Sequence, residues 1–294
     1  MSTPTVAGLY RYPVKSMLGE AVERSFLGPQ GLLGDRAFAV VDASDATVAT
    51  AKVPAKWSRL LEFRAAYTAE PEPGRPLPPV DVHFPDGSTL RSDDERIHAA
   101  LSDLLGREVR LSADPVEGNE FEEVWPEIEG IAPQQFIDST TVGYEVEGEA
   151  RSKMGLGMLV ENATFFDLAT LHLLTTATLA RLSELAPDSA FDVRRYRPNV
   201  LVEGTDDGFA EDDWVGHTVS LGDGAAMSVS MLTMRCIMTT LAQDDLPVDR
   251  DVLRTVAKHH RRDIPDLGTW ACAGVYGATA ASGTVQVGDP VTVA

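Results

Sequence analysis

The decapeptide MLTMRCIMTT, Met231–Thr240, decides how the rest of this chain is interpreted, because it holds Cys236. Cys236 is one of only 2 cysteines among 294 residues, and Arg235 directly precedes it. A thiolate is a soft nucleophile and a metal ligand, whereas an isolated cysteine is commonly a small, inert core residue. Which description applies depends on the side chains that the fold brings to this stretch.

The bulk composition predicts a globular protein and excludes several classes of function. A length of 294 residues with 44% hydrophobic side chains fits one large domain or two modest ones. A net charge of −20 opposes binding to nucleic acid and docking on anionic membranes. The sequence shows no secretion signal and no apolar run of about 18 residues, so we expect a cytoplasmic protein without a membrane span. Two cysteines suit the reducing cytosol and are too few for an iron–sulfur cluster, which needs about four ligands.

Short apolar runs separated by glycine and proline predict strands at both ends of the chain. Near the N-terminus the runs are Val6–Tyr10, Ala21–Phe26 and Ala37–Val41. Near the C-terminus, Thr284–Val287 alternates, a Gly-Asp-Pro turn follows, and Val291–Val293 returns. The predicted fold class is mainly β, or α+β, with the helices at the periphery.

Three helices are predicted from their caps and apolar spacing. Ser92 and Glu95 form a capping-box pattern before an apolar stripe that Gly106 ends. A second helix begins near Thr175 or Thr176, which serve either as a plain N-cap or as part of a helix start that receives an anion such as phosphate. A third helix covers residues 251–262.

An acidic, proline-containing stretch divides the chain. Charge runs of this kind usually lie on solvated connectors, so we predict a β-rich domain over residues 1–112, an acidic connector over 113–150 and a second domain over 151–294.

Two cationic patterns stand out in this acidic background. Three arginines, Arg194, Arg195 and Arg197, precede a predicted strand and suggest a buried or ligand-facing anion site. Arg36 follows Asp35 after a glycine turn, which is also compatible with a simple local ion pair.

Two other uses of Cys236 are weighed against the sequence. A cysteine hydrolase needs a histidine base beside the thiol, and no histidine of the chain carries a signature that ties it to Cys236. A zinc site made of Cys236, Cys272, His259 and His260 matches no common ligand spacing. What remains is one thiolate, scattered cationic side chains and a helix start, a set that suits a ligand with a phosphate at one end and a soft metal at the other.

Six motifs occur in an order that resembles the MOSC family, the proteins with a molybdenum-cofactor-sulfurase C-terminal domain, preceded by the family's N-terminal β-barrel domain. The resemblance runs nearly end to end, and the nearest functional comparison is the mitochondrial amidoxime-reducing component and its bacterial relatives. The motifs are YPVKS (12–16), GLLGDR (31–36), HLLTTATL (172–179), RPNVLV (197–202), MRCIMTT (234–240) and GTVQVGDPV (283–291).

The resemblance implies a role for each matching residue. Cys236 would be the protein thiolate ligand of molybdenum and the catalytic residue. The remaining matches would hold the phosphorylated pterin, and we give Cys272 a structural role. The residues implied in cofactor binding are Lys15, Ser16, Arg36, Thr175, Thr176, Arg197, Asn199 and Arg235.

The resemblance also implies the fold of the second domain, a MOSC β-barrel, and a function. The implied activity is a molybdenum-dependent oxidoreductase that reduces N-hydroxylated small molecules with the molybdenum–molybdopterin cofactor. Electrons would come from a separate flavin or ferredoxin reductase system. The alternative is a protein that binds molybdopterin without turnover, or a sulfur carrier that uses Cys236 as a persulfide.

Overall fold

The computed structural model describes residues 3–115, 119–145, 148–156 and 164–294. Strands predominate, with 38% of residues in strands and 21% in helices, which confirms the predicted mainly β or α+β class. The strands in these ranges are β1 (Thr5–Arg11), β2 (Glu20–Val22), β3 (Arg24–Gly28), β4 (Gly31–Leu32), β5 (Ala39–Asp42), β6 (Arg64–Tyr67), β7 (Val80–His83), β8 (Thr89–Arg91), β9 (Val109–Ser112), β10 (Glu120–Trp125), β11 (Thr141–Tyr144), β12 (Ala150–Gly155), β13 (Leu171–Thr175), β14 (Val200–Glu203), β15 (Thr218–Leu221), β16 (Ala225–Met234), β17 (Arg261–Ile264), β18 (Gly268–Ala281), β19 (Gly283–Gln286) and β20 (Val291–Val293).

The helices are short and lie between strands. None of those in the described ranges is long and apolar enough to cross a membrane. The α-helices are α1 (Pro54–Trp57), α2 (Arg96–Leu105), α3 (Gln134–Thr140), α4 (Thr176–Leu185), α5 (Val193–Tyr196) and α6 (Asp251–His259), and the 3₁₀ turns are Ser58–Glu62, Ala210–Trp214 and Ile237–Thr240.

The largest sheet combines strands from both ends of the chain. Its order is β2-β1-β14-β13-β18-β16-β15-β20, and β17 pairs with β18 beside this path. Strand β1 pairs with β14 in antiparallel register, with Leu9 opposite Val200. Strand β3 pairs with β19, so both β1 and β3 of the N-terminal region are hydrogen-bonded to strands of the C-terminal half. The predicted division at residues 112 and 150 stays a prediction.

The two largest hydrophobic clusters among the described residues lie in different parts of the fold. One core lies on the large sheet and includes Leu9, Leu173, Val219 and Met227. The second is formed by residues between 14 and 124, with Trp57 buried at its centre. Alternation of apolar and polar side chains places one face of each strand in a core.

The acidic stretch between residues 113 and 150 is not the solvated connector that its composition predicts. Strand β10 pairs with β12, and Phe121, Glu123 and Trp125 are all buried. The prediction of a solvated segment is wrong for residues 121–126, where Glu122 and Glu123 find cationic partners inside the protein, whereas Glu120, Glu127 and Glu129 are exposed as predicted. Glu123, for example, accepts a hydrogen bond from Lys52 Nζ at 2.9 Å.

Two local predictions are corrected in detail. The predicted capping box at α2 is absent, since the Ser92 hydroxyl accepts from the Val80 N–H and Asp94 accepts from the Arg96 N–H. Gly106 ends the helix in the left-handed conformation, as predicted. The two C-terminal strands exist, but β19 pairs with β3 and β20 pairs with β15, so each has its own partner in another part of the chain.

The turn before Arg36 depends on a close approach of two backbones. Gly31 has φ = 88°, and a Cβ there would lie 2.4 Å from the carbonyl oxygen of Thr170. Glycine is therefore required both for its conformation and for its lack of a side chain. The contact holds the GLLGDR segment against the start of β13.

Asp35 and Asn199 form a buried brace between the two halves of the chain. Asp35 Oδ1 accepts from the Tyr12 N–H at 2.7 Å, and Oδ2 accepts from Asn199 Nδ2 at 2.9 Å. Asn199 Nδ2 also donates to the Tyr10 carbonyl, and Asn199 Oδ1 accepts from the His172 N–H at 3.1 Å. The brace thus ties the end of β1 to the start of β14 and to β13.

We expect Asp35→Ala to lower the free energy of unfolding by about 3–5 kcal/mol, the usual cost of breaking a buried charged pair. The substitution leaves the Tyr12 N–H, the Asn199 amide and the Arg36 guanidinium without their shared acceptor. Urea unfolding monitored by circular dichroism measures the change. Asp103→Ala is the control, because Asp103 is exposed on α2 and should shift stability by less than about 0.5 kcal/mol. Equal stability of the two variants would contradict the importance of the brace.

Candidate functional site

One cleft brings together most of the residues singled out from the sequence. It encloses about 1270 Å³ of empty space, counting its open mouth. Segments far apart in the chain line it, including the loop after β1, one face of β10, the end of β16 and the loop before β13. The predicted residues that line it are Lys15, Ser16, Arg36, Arg197, Asn199, Arg235 and Cys236.

Cys236 lies where strand β16 ends and a 3₁₀ turn begins. Its backbone is extended, with φ = −130° and ψ = 178°, and the preceding Arg235 N–H donates to the Ala271 carbonyl at 2.8 Å. Successive side chains of an extended segment point to opposite sides. Met234 packs in an aromatic cluster, whereas Arg235 reaches the Tyr196 carbonyl at 3.0 Å on the other side. Cys236 therefore comes directly after two residues that face different surroundings, Met234 an apolar cluster and Arg235 a polar region.

Three residues of the cleft adopt the left-handed backbone conformation although they are not glycine. They are Ser16 (φ = 64°), Arg36 (φ = 48°) and Arg197 (φ = 54°). This conformation costs free energy for residues with a side chain, and such residues cluster at functional sites. All three belong to motifs identified in the sequence, so the same segments that carry the motifs also carry the strained backbone.

Two buried guanidinium groups in the cleft keep unused hydrogen-bond donors. Arg197 Nη2 donates to the Met17 carbonyl at 2.8 Å, but its Nη1 has no partner. Arg235 Nε also has no partner. Both side chains are more than nine-tenths buried, and burial lowers the pKa of Arg197 to about 10. A buried donor without an acceptor is costly, so these atoms indicate a site for an anionic or strongly accepting ligand.

Arg36 has a partner but remains part of the same cationic surface. Its Nη1 donates to Asp35 Oδ2, which forms the local ion pair considered from the sequence. The guanidinium also lies 4.9 Å from the centre of the Tyr12 ring, and the Arg197 guanidinium lies 4.1 Å from the same ring. Tyr12 therefore holds two cations beside each other in the cleft.

A chain of buried ion pairs balances the charge at another side of the cleft. Lys15 Nζ donates to Asp167 Oδ1 and to the Phe165 carbonyl, while Lys52 Nζ lies 3.1 Å from Asp167 Oδ2 and 2.9 Å from Glu123 Oε2. Burial raises the pKa of the Asp167 carboxyl, but the two lysines outweigh burial and hold that pKa well below its usual range. Burial also lowers the pKa of the Lys15 ammonium and raises that of the Glu123 carboxyl.

The thiol of Cys236 is partly exposed to this cleft. Burial raises the pKa of the Cys236 thiol, and the nearby cations Lys52 and Arg235 act in the opposite direction. Metal coordination would favour the thiolate further, since a coordinating thiol is deprotonated.

The cleft residues that reasoning from sequence missed include four polar side chains, namely Lys52, Glu123, Asp167 and His172. His172 is buried, and burial together with the charge of Arg235 holds its pKa well below the usual value, so its imidazole is neutral. Its Nε2 lies 3.5 Å from Arg235 Nη1. Only His172 belongs to a motif, HLLTTATL, so the other three carried no local signal.

The predicted anion site at the start of α4 is corrected by the structure. Thr175 is the N-cap, and its hydroxyl donates to Glu211 Oε2 at 2.7 Å. Thr178 also donates to this carboxylate at 2.8 Å. Glu211 therefore takes the place expected for a bound phosphate, and neither Thr175 nor Thr176 lines the cleft.

Three other residues singled out from the sequence, Asn199, Arg194 and Arg195, make their hydrogen bonds within the protein. Asn199 lines the cleft, and its amide group donates to the Tyr10 carbonyl and to Asp35 within the protein, so it serves as a brace and its predicted contact with a cofactor stays a prediction. Arg194 pairs with Asp245 at 2.6 Å, away from the cleft. Arg195 donates to the carbonyls of Thr239, Leu241 and Pro247, which fixes the segment after Cys236.

The zinc alternative finds no support in the structure. Within the described ranges, no cluster of three or more His, Cys, Asp or Glu side chains is arranged to hold a metal ion. Cys272 is fully buried in β18, and burial raises the pKa of its thiol to about 12. Its surroundings suit the structural role that we assigned to it.

Solved structures that are similar to this chain share little of its sequence. Among solved structures, the YuaD protein of Bacillus subtilis is similar over 99% of this chain and 96% of its own, with 12% identity and a TM-score of 0.41. YiiM from Geobacillus stearothermophilus is similar over 43% of this chain and 54% of its own, with 17% identity and a TM-score of 0.30. No protein of curated function matches the sequence.

Two family models match separate parts of the sequence. The MOSC N-terminal beta barrel domain matches residues 3–72, and the MOSC domain matches residues 161–292. Every motif that suggested the resemblance lies within one of these two stretches. The chain is therefore a MOSC-family protein, with a MOSC N-terminal beta barrel domain followed by a MOSC domain.

Proposed function

We propose that the cleft binds the molybdenum cofactor and that the protein is a molybdenum-dependent reductase of N-hydroxylated compounds. The MOSC family is associated with proteins that bind this cofactor. The observation that carries the proposal is the meeting of Cys236, a soft ligand, with the unpaired donors of Arg197 and Arg235 in one cleft.

The residues of the cleft fit a phosphorylated pterin that carries a soft metal. Guanidinium groups match phosphate oxygens through paired N–H donors, and Arg197 Nη1 and Arg235 Nε are free to make such bonds. Lys15, Ser16 and Arg36 would add charge and polarity at the phosphate end. Cys236 would ligate molybdenum, since thiolates prefer soft metals.

The bound cofactor would supply the two-electron removal of oxygen from an N–O group. The chain's own residues would hold the cofactor by its phosphate, present one thiolate and leave the open mouth of the cleft for the substrate. The buried ion pairs of Lys15, Lys52, Asp167 and Glu123 would keep the polar side rigid while nearly balancing its charge. The reaction consumes two electrons and two protons and releases water with the reduced nitrogen compound.

A separate electron donor is part of the proposal. The 2 cysteines of the sequence are fewer than the roughly four protein ligands that an iron–sulfur cluster needs. The sequence also has neither a C-x-x-C-H haem attachment motif nor a dinucleotide glycine fingerprint. We therefore propose a flavin or ferredoxin reductase system as the donor. We also propose that the protein acts in the cytoplasm.

Replacing Cys236 tests the metal ligand. Loss of an outer partner of a metal ligand already costs about 10- to 100-fold in affinity, so we expect Cys236→Ala to lower molybdenum retention by about 100-fold or more. Elemental analysis after gel filtration measures the metal. Cys272→Ala is the matched control and should retain it. Equal molybdenum in wild type and Cys236→Ala would refute the ligand role, whereas transferable sulfur without metal would favour the sulfur-carrier alternative.

Replacing Arg197 and Arg194 in separate variants distinguishes the loss of a phosphate contact from the loss of a surface charge. Each lost charge-assisted hydrogen bond is worth roughly 1.5–3 kcal/mol, so Arg197→Ala should weaken pterin retention by about tenfold to a hundredfold. Arg194→Ala removes the same charge three residues away, where the side chain pairs with Asp192 and Asp245 outside the cleft. Fluorescence of the oxidised pterin after dialysis measures retention. Full retention in Arg197→Ala, or equal losses in both variants, would contradict the assignment.

The need for a separate electron donor is tested by leaving that donor out of the assay. We expect cofactor-loaded protein to reduce an amidoxime anaerobically with reduced viologen or an added reductase system, and to show no turnover with NADPH alone. Product formation measured by chromatography gives the rate. Turnover with NADPH and no mediator would disprove the need for a separate donor. Inactivity with a strong reductant at full molybdenum loading would favour a protein that binds the cofactor without catalysis.

A further inference from the structure

The cleft has an apolar side that the cofactor-binding residues do not explain. Six side chains without charge line it, and we refer to them as the aromatic wall. Two of them, Trp125 and Phe136, come from the stretch that the sequence predicts to be an acidic connector, and these two and Met154 lie between the two segments matched by the family models. The members of the aromatic wall are Trp125, Phe136, Met154, Met234, Leu267 and Trp270.

The rings of the aromatic wall hold one another in fixed positions. Phe136 meets Trp270 edge to face with 4.9 Å between ring centres, and it meets Trp125 in the same manner at 5.9 Å. The Trp125 indole N–H donates to Ser152 Oγ at 2.7 Å, and the Trp270 indole N–H donates to the Leu267 carbonyl at 2.9 Å. Because both indole donors are used inside the protein, the aromatic wall offers a ligand aromatic and thioether surface rather than hydrogen bonds.

Some side chains of the aromatic wall are exposed to the cleft, and others are buried behind them. Trp125 and Trp270 are nearly fully buried, whereas Phe136, Met154 and Met234 are partly exposed. Leu267 is 39% exposed. Partly exposed thioethers and a ring edge adapt well to a flat apolar group.

The position of the aromatic wall connects it to the reacting end of the cleft. Met234 precedes Cys236 by two residues, and both line the same space. A ligand whose flat part rests on Phe136 and Met234 would extend its other end into the region of Cys236. Arg235 lies between Met234 and Cys236 in the sequence, and its side chain reaches the Tyr196 carbonyl on the other side of the extended segment.

We propose that the aromatic wall is the specificity site of this protein and selects N-hydroxylated substrates that carry a neutral, planar aryl group over those that carry a short alkyl group. The inference rests on the proposed function for the N–O group, but the preference for the aryl group comes from the chain's own residues. A charged group would find no counter-charge among the side chains of the aromatic wall, and burying it there would be costly.

The test compares two neutral probes that share the same N–O group, benzamidoxime and acetamidoxime. Their dissociation constants are measured by isothermal titration calorimetry without any reductant, so that no turnover occurs. Both the protein as isolated and the cofactor-loaded protein are used. We expect benzamidoxime to bind at least about tenfold more tightly, a difference of about 1.4 kcal/mol.

Phe136→Leu should reduce the ratio of the two constants to within about twofold, because leucine keeps apolar volume but removes the ring. Phe26→Leu is the matched control, since Phe26 is a partly buried phenylalanine on β3 outside the cleft. Circular dichroism checks that each variant is folded. Leu267→Asp, at a position that is 39% exposed, provides a second variant and should weaken benzamidoxime binding at least about fivefold.

Equal binding of the two probes by the wild-type protein, or an unchanged ratio in both cleft variants, would overturn the inference. Its failure is distinct from failure of the proposed function. Protein that retains molybdenum and turns over both probes with equal kcat/KM would keep the reductase function and lose the aromatic wall as a specificity site. Protein that prefers benzamidoxime but never retains molybdenum would keep the specificity site and lose the reductase function.

Discussion

The buried hydrogen bonds between Asp35 and Asn199 are the constraint on which the cleft depends. These two side chains connect the end of β1, the start of β14 and the first residues of β13. Arg36 directly follows Asp35, and Arg197 precedes Asn199 by two residues, so the brace also sets the spacing of two guanidinium groups. Each partner is buried, and a buried polar group without its partner is costly. The segments that carry the cations are therefore held together by two side chains whose hydrogen bonds are made within the protein.

A protein with a net charge of −20 can hold a cationic cleft because its acidic and basic side chains differ in where they are buried. Glu123 and Asp167 line the cleft and pair with Lys52 and Lys15, and the fully buried Asp35 pairs with the cleft residue Arg36. The ion pairs offset much of the desolvation that burial imposes on each charge. Arg197 and Arg235 keep donors without partners, so the excess of positive potential is concentrated where a ligand could use it. Most of the remaining acidic side chains are partly or fully exposed, although Asp42, Glu122 and Glu211 are also buried.

The sequence predicted the ligand-facing residues better than it predicted their supports. Arg197, Arg235 and Cys236 lie within short motifs, and they meet in the cleft. Lys52, Glu123 and Asp167 lie in no motif, and they meet only because three loops and strands converge. Thr175 illustrates the opposite error: a helix start that can bind an anion does so, but the anion is the carboxylate of Glu211. Local sequence shows that donors need an acceptor, and it does not show which acceptor the fold supplies.

The sequence by itself determined the mainly β class, the order of the motifs and the choice of Cys236 as the candidate soft ligand, because strand alternation, turn residues and a rare cysteine are local properties. The tertiary structure decided which strands pair, as β19 shows by pairing with β3 rather than with its neighbour β20. It also decided that the acidic stretch around Phe121 and Trp125 is buried and forms part of the cleft. These outcomes depend on contacts between residues distant in sequence, where each charge or apolar side chain is satisfied by a partner that no local pattern specifies.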